Sequence, residues 1–125
     1  MTHIEIQDRI RDVIIKWTPD IQALSNQKEI IAINFGLQKV WDGFELVLSG
    51  HSWYDDHDSW LLDDEWRPKQ NYISLGIDSL EFDRLEMLGM YEKIVEDEIK
   101  EKKELYNKLH RVVIGPNDGQ PKILK

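Results

Sequence analysis

Glu29-Ile30-Ile31-Ala32-Ile33-Asn34-Phe35 is followed by Asp42-Gly43 and then by Phe44-Glu45-Leu46-Val47-Leu48-Ser49-Gly50. Two stretches rich in β-branched and other apolar residues thus flank an Asp-Gly pair, a strong short-range hairpin signal. The first stretch does not alternate cleanly with polar residues, so the strand it predicts is buried on much of both faces. Gly36 is expected to mark a bulge or a bend. The fold is therefore expected to be organised around this antiparallel pair.

Upstream, Ile6, Ile10, Val13, Ile14 and Trp17 recur at helical spacing with Ile4 beside them, while Asp8, Arg9, Arg11, Asp12 and Lys16 fall largely opposite. This predicts an amphipathic helix over residues 3–17, capped by Thr2 and stopped at Thr18-Pro19-Asp20. Residues 21–27 read as a connector or a short helical turn. Downstream, Asn71-Tyr72-Ile73-Ser74-Leu75 reads as a third strand. Asp78 or Ser79 is placed to cap a helical stretch reaching about Leu109, its apolar positions including Phe82, Leu85, Leu88, Ile94, Val95 and Ile99. Gly89 is expected to divide or kink it. From Glu92 the pairs Glu96–Lys100, Glu98–Lys102 and Glu104–Lys108 stand at i, i+4. Arg111-Val112-Val113-Ile114 reads as a last strand, residues 115–119 as a turn, and Ile123 and Leu124 as a segment that pairs back or frays. The expected architecture is α+β: a single domain over residues 1–125, with an antiparallel sheet of about four strands packed on one face by an N-terminal helix and a long C-terminal helical segment.

A chain of 125 residues can bury roughly two-thirds of its unfolded surface, enough for a core without staples. It contains no cysteine, which excludes disulfides, thiolate metal sites and cysteine nucleophiles. Charged residues interrupt the N-terminal apolar positions, unlike a secretory signal, and no apolar run approaches the ~20 residues that span a bilayer. These features predict a soluble, cytoplasmic protein. A net charge of −8 makes it a poor direct binder of nucleic acid or anionic lipid and a better match for a basic partner.

That charge is localised. Between Asp42 and Trp66 lie eight acids, Asp42, Glu45, Asp55, Asp56, Asp58, Asp63, Asp64 and Glu65, and no Lys or Arg. The window therefore carries the charge of the whole chain. Within it, residues 51–69 lack a sustained period and read as a long loop. Trp53, Tyr54, Trp60 and Trp66 argue against disorder there. Of Trp60 and Trp66, at least one is expected in the core, and of Trp53 and Tyr54, one inward and one outward. Trp17 reads as a core residue and Trp41 as a hairpin residue.

Catalytic signatures are weak. No phosphate-cradling loop appears, and Ser49 in Leu-Ser-Gly-His lacks the glycine-flanked elbow of hydrolases. Ser52, His57 and Asp55 lack a recognisable triad context, and the crowded carboxylates single out no glycosidase pair. His51, Asp55, Asp56, His57 and Asp58 are possible ligands for a metal, but Asp56-His57-Asp58 fails as a calcium loop: its sixth position is Leu61 where glycine is needed. The chain is read as a non-enzyme without cofactor. Trp53, Tyr54, Asp55, Asp56, Asp58, Asp63, Asp64 and Glu65 are the candidate partner-binding residues, because aromatic rings supply interface anchors and carboxylates steer a basic partner.

Ile33-Asn34-Phe35-Gly36-Leu37, a hairpin, Leu48-Ser49-Gly50 and then Tyr54-Asp55-Asp56-His57-Asp58-Ser59-Trp60 together resemble immunity proteins of bacterial polymorphic and contact-dependent growth inhibition toxin systems. The resemblance spans roughly residues 30–75. It implies a cytoplasmic antitoxin that binds and neutralises a cognate toxin domain, in many cases a basic nuclease. Two alternatives stand beside it: an adaptor or self-associating structural protein with the charged C-terminal helix as its seam, and a His/Asp metal protein.

Overall fold

The structure, a computed structural model, describes residues 1–24, 29–55, 59–116 and 120–125. The hairpin forms as its sequence predicts. Strand β1, Ala32–Val40, pairs antiparallel with β2, Gly43–His51, from Ala32↔His51 to Val40↔Gly43. Trp41 and Asp42 make the tip, where Trp41 is exposed. Gly43 has φ 140°, a conformation that favours glycine. The register runs through Gly36 without a break, so the expected bulge is absent; Gly36 sits opposite Val47 on one side and Gly115 on the other.

Helix α1 spans His3–Ala23, six residues beyond its expected end, with Pro19 inside it. The Thr2 hydroxyl accepts a hydrogen bond from the Glu5 amide at 3.1 Å, as a cap should. Interior proline costs about 3 kcal/mol. Here the apolar stripe continues through buried Trp17 to Ile21 and Leu24, and each such burial contributes about 1.5–3 kcal/mol. Pro19 and Ile15 are exposed, so the carbonyl that loses its partner lies on the solvent side. The Thr18 hydroxyl donates to the Ile14 carbonyl at 3.0 Å.

Strand β3, Tyr72–Ser74, extends the sheet beyond β2. A 3₁₀ turn, Ile77–Glu81, then leads to α2, Arg84–Glu101. The expected cap at Asp78 or Ser79 is displaced to Asp83. The Asp83 side chain accepts from the Glu86 amide at 2.8 Å, and the Glu86 carboxylate accepts in return from the Asp83 amide at 3.4 Å. Asp78 instead pairs with Arg9 at 2.8 Å, and the Ser79 hydroxyl accepts from the Phe44 amide at 2.9 Å. Gly89 neither divides nor kinks α2: it lies on an exposed turn with open space where a Cβ would stand. The break comes at Lys102, before the short α3, Lys103–Tyr106. Of the expected charge pairs, Glu98–Lys102 closes at 2.6 Å, while Glu96 faces Lys122 at 4.0 Å.

Strand β4, Arg111–Pro116, lies beside β1 and parallel to it, and β5, Lys122–Ile123, pairs antiparallel with β4. Gly115 and Pro116 thus belong to a strand rather than a turn. The architecture is α+β, as expected, but the sheet is mixed and five-stranded, in the order β3-β2-β1-β4-β5. The physical reason is the helix. An 18-residue helix spans about 27 Å, which returns the chain to the end of the sheet where β3 began. β4 then starts from the same end as β1 and must run parallel to it.

The core lies between the helices and one sheet face. Phe35, in central β1, meets Trp17 of α1 at 6.2 Å between ring centroids and Tyr91 of α2 at 6.3 Å. Ile33, Leu37, Leu46, Leu48, Val112 and Ile114 complete the strand contribution. The Trp17 indole N–H donates to the Gln70 carbonyl at 2.7 Å. None of the described helices is long and apolar enough to cross a membrane.

Candidate functional site

The acidic segment crosses the other face of the sheet. Strand alternation points Ala32, Asn34 and Gly36 of β1, Val47, Ser49 and His51 of β2, and Val113 of β4 away from the helices. The chain leaves β2 at His51 and returns to it, where the Gly50 amide donates to the Trp66 carbonyl at 2.8 Å and the Glu65 amide to the Gly50 carbonyl at 3.0 Å. Position 50 leaves little room for a side chain: a Cβ there would lie 3.0 Å from Trp66 and Ile30 side-chain atoms, which would have to shift. The loop ends are therefore pinned together.

Its anchor is Trp60, on a 3₁₀ turn, Ser59–Leu62. Trp60 is buried on Ala32 and Val113, with Tyr54 and Leu61 packed around it. Its ring meets the edge of His51 at 4.8 Å and Tyr54 at 6.4 Å. Trp66 is half-buried against the larger core, so both tryptophans pack inward. His51 is fully buried: one ring nitrogen lies 2.9 Å from the Ser49 hydroxyl and the other 3.3 Å from the Asp63 carbonyl. Burial lowers the His51 pKa below its ordinary value near 6.5, although the Asp63 carbonyl and the nearby Asp64 and Glu65 carboxylates oppose the shift. Both ring nitrogens of His51 are already engaged, which counts against its use as a metal ligand. Among the described residues no cluster of three or more histidines and acids is placed to hold a metal. Asp56, His57 and Asp58 lie outside the described residues.

The remaining candidates are brought together, but several have partners within the segment. Trp53 is 38% exposed, and its indole N–H donates to Asp63 at 3.0 Å. Tyr54 is half-buried, with the Arg111 guanidinium 4.2 Å above its ring, so of the two neighbours Tyr54 is the inward one and Trp53 the outward one. Asp55 is half-buried rather than fully solvent-facing and accepts from the Ser59 hydroxyl at 3.3 Å. Asp64 forms an ion pair with Arg67, whose hydrogen bond holds the Asp64 carboxyl below its ordinary pKa. Glu65 accepts from the Ser52 hydroxyl at 2.5 Å. Asp63 and Glu65 remain exposed. Each described carboxylate of the segment thus has a partner within or beside it, and Asp63 and Glu65 are exposed to solvent as well.

Beside the segment lies a concavity of about 270 Å³ with a mixed lining: Val47, Leu61, Leu62, Tyr72, Pro116 and Pro121 are its apolar part, and Asn34, Ser49, Asn71 and the Asp64–Arg67 pair its polar part. Leu62 is 88% exposed and Tyr72 52%. Sequence reading did not single these out. The available signal was Leu61-Leu62 beside Trp60: only one of two adjacent leucines on a short turn can pack inward with the tryptophan.

No family model, no curated protein and no solved structure matches the chain.

Proposed function

We propose that the chain is a cytoplasmic immunity protein that neutralises a basic toxin domain, most simply a nuclease, by docking the segment from Trp53 to Trp66. The observation that carries this reading is the pairing of charge with anchoring. The window from Asp42 to Trp66 carries the net charge of −8, and six of its eight acids lie on the segment that Trp60 and the Gly50–Trp66 bridge pin to the sheet. Clustered like charge destabilises a fold through self-repulsion, so its retention on a well-anchored segment points to a binding role. Preorganised carboxylates steer a basic partner and lose little freedom when it docks.

Co-expression with the C-terminal domain encoded by the neighbouring upstream gene tests this. The domain alone should kill cells, and the pair should survive and co-purify. A harmless domain, or one that does not bind, removes the reading. In the complex, Asp63→Lys with Glu65→Lys should slow association by tenfold or more and reduce its salt dependence.

A further inference from the structure

From the apolar surface beside the loop, and resting on the reading above, we infer that the concavity under Leu62 receives an apolar side chain carried on a Lys- or Arg-rich segment of the partner. Among the described residues, the two long helices cover one sheet face. On the other, Trp60 packs on Ala32 and Val113, and the concavity beside Leu62 offers Val47, Tyr72 and Pro116 as apolar contacts, with Asn34, Ser49 and Asn71 as polar ones. Leu62 at 88% and Tyr72 at 52% exposure form an apolar rim, and Ile123 on β5, at 52%, presents a further apolar side chain. A volume of about 270 Å³ lies below the range of small-molecule sites and suits a protruding side chain.

Charge decides what flanks that side chain. Arg67, on the wall, is neutralised by Asp64. Asp63 and Glu65, one and three residues along the chain from Leu62, are exposed. A partner segment lowered onto Leu62 meets carboxylates, so an acidic segment is repelled and a basic one attracted. The arrangement matches the anatomy of an energetic hot spot, an apolar centre with a charged rim. It assigns the binding energy to Leu62 and Tyr72 and the encounter rate to the carboxylates. Trp53 and Tyr54 are left as supports of the loop.

Two probes test this on the full chain. In the first, amide shifts are followed at physiological salt with a short peptide alternating Lys and Leu, and with a matched peptide of Lys and Ser. The Lys–Leu peptide should perturb Val47, Leu62 and Tyr72 and lose that effect with Leu62→Ser; the Lys–Ser peptide should perturb only the acidic segment. Perturbation centred instead on the exposed helix residues Ile4 and Leu85, or equal effects of both peptides, overturns the inference. In the second, Leu62→Ser and Tyr72→Ser are measured against the neighbouring toxin domain. Each should weaken binding at least about 30-fold, mainly through faster dissociation, with an unchanged melting curve. If the toxin domain binds the wild type and both variants equally, the concavity is not its seat while the immunity reading stands. If it binds none of them, that reading fails and the peptide result alone decides the concavity.

Discussion

The two faces of the central sheet are built from alternate residues of the same strands and covered in different ways. On one, Ile33, Phe35, Leu37, Leu46, Leu48, Val112 and Ile114 meet two amphipathic helices in a large apolar core. On the other, Ala32 and Val113 meet one tryptophan, and the covering segment is held largely by polar bonds: Asp63 to Trp53, Glu65 to Ser52 and Asp55 to Ser59. Exposed side-chain hydrogen bonds and ion pairs contribute little to stability, whereas each buried aromatic or aliphatic side chain contributes about 1.5–3 kcal/mol. The helical face therefore supplies the stability of the fold, and the opposite face carries the charge and the exposed apolar surface.

The sharpest way to break that division is to cut one aromatic from each face. Trp17→Ala should cost about 3–5 kcal/mol in urea unfolding, because it opens the main core and removes the bond to Gln70. A cost below about 2 kcal/mol would show that the helical face is not the source of stability. Trp60→Ala should cost less globally, on the order of 1–2 kcal/mol, since the segment can open without the helices. Its signature is fast hydrogen exchange at residues 59–66 with protection of α2 retained. Equal costs for the two variants would make both faces one cooperative unit.

Acid should act next, and through the loop-covered face. His51 is held below its ordinary pKa, so between that lowered value and about 6.5 the unfolded chain binds a proton that the folded chain does not. Stability is then full above the unfolded value, falls as pH drops through it, and levels off below the folded value. Denaturant midpoints should decline as pH is lowered through about 6.5 and level off over the lower range in which the folded His51 ring titrates by NMR. A folded His51 that titrates at its unfolded value would abolish the effect, and one that titrates above it would reverse the sign. The smallest effect on stability is expected from Asp63→Lys and Glu65→Lys, within about 0.5 kcal/mol, since both side chains are exposed. A larger loss would mean that the carboxylates serve folding rather than a partner.

Much of this contrast was legible in the chain. The periodicity from Ile6 to Trp17 predicts α1, but the proline signal ends it too early, because burial of Ile21 and Leu24 carries the helix past Pro19. The Asp42-Gly43 hairpin and the concentration of acids were read directly. That at least one of Trp60 and Trp66 packs inward followed from the apolar residues between them, but the deeper burial of Trp60 and the exposure of Leu62 rather than Leu61 did not. Nor did the partners of Asp55, Asp63 and Glu65, because each depends on which chain segment a folded loop brings near.

Sequence by itself determined the element types, the hairpin and the charged window, since each is a local pattern of side chains on a backbone with a fixed period. Only the tertiary structure decided that β4 runs parallel to β1, that His51 is buried, that Tyr54 lies under Arg111, and that Leu62 and Tyr72 border an open concavity. Those outcomes depend on where an 18-residue helix returns the chain and on which surfaces compete for burial, and neither is encoded in neighbouring residues alone.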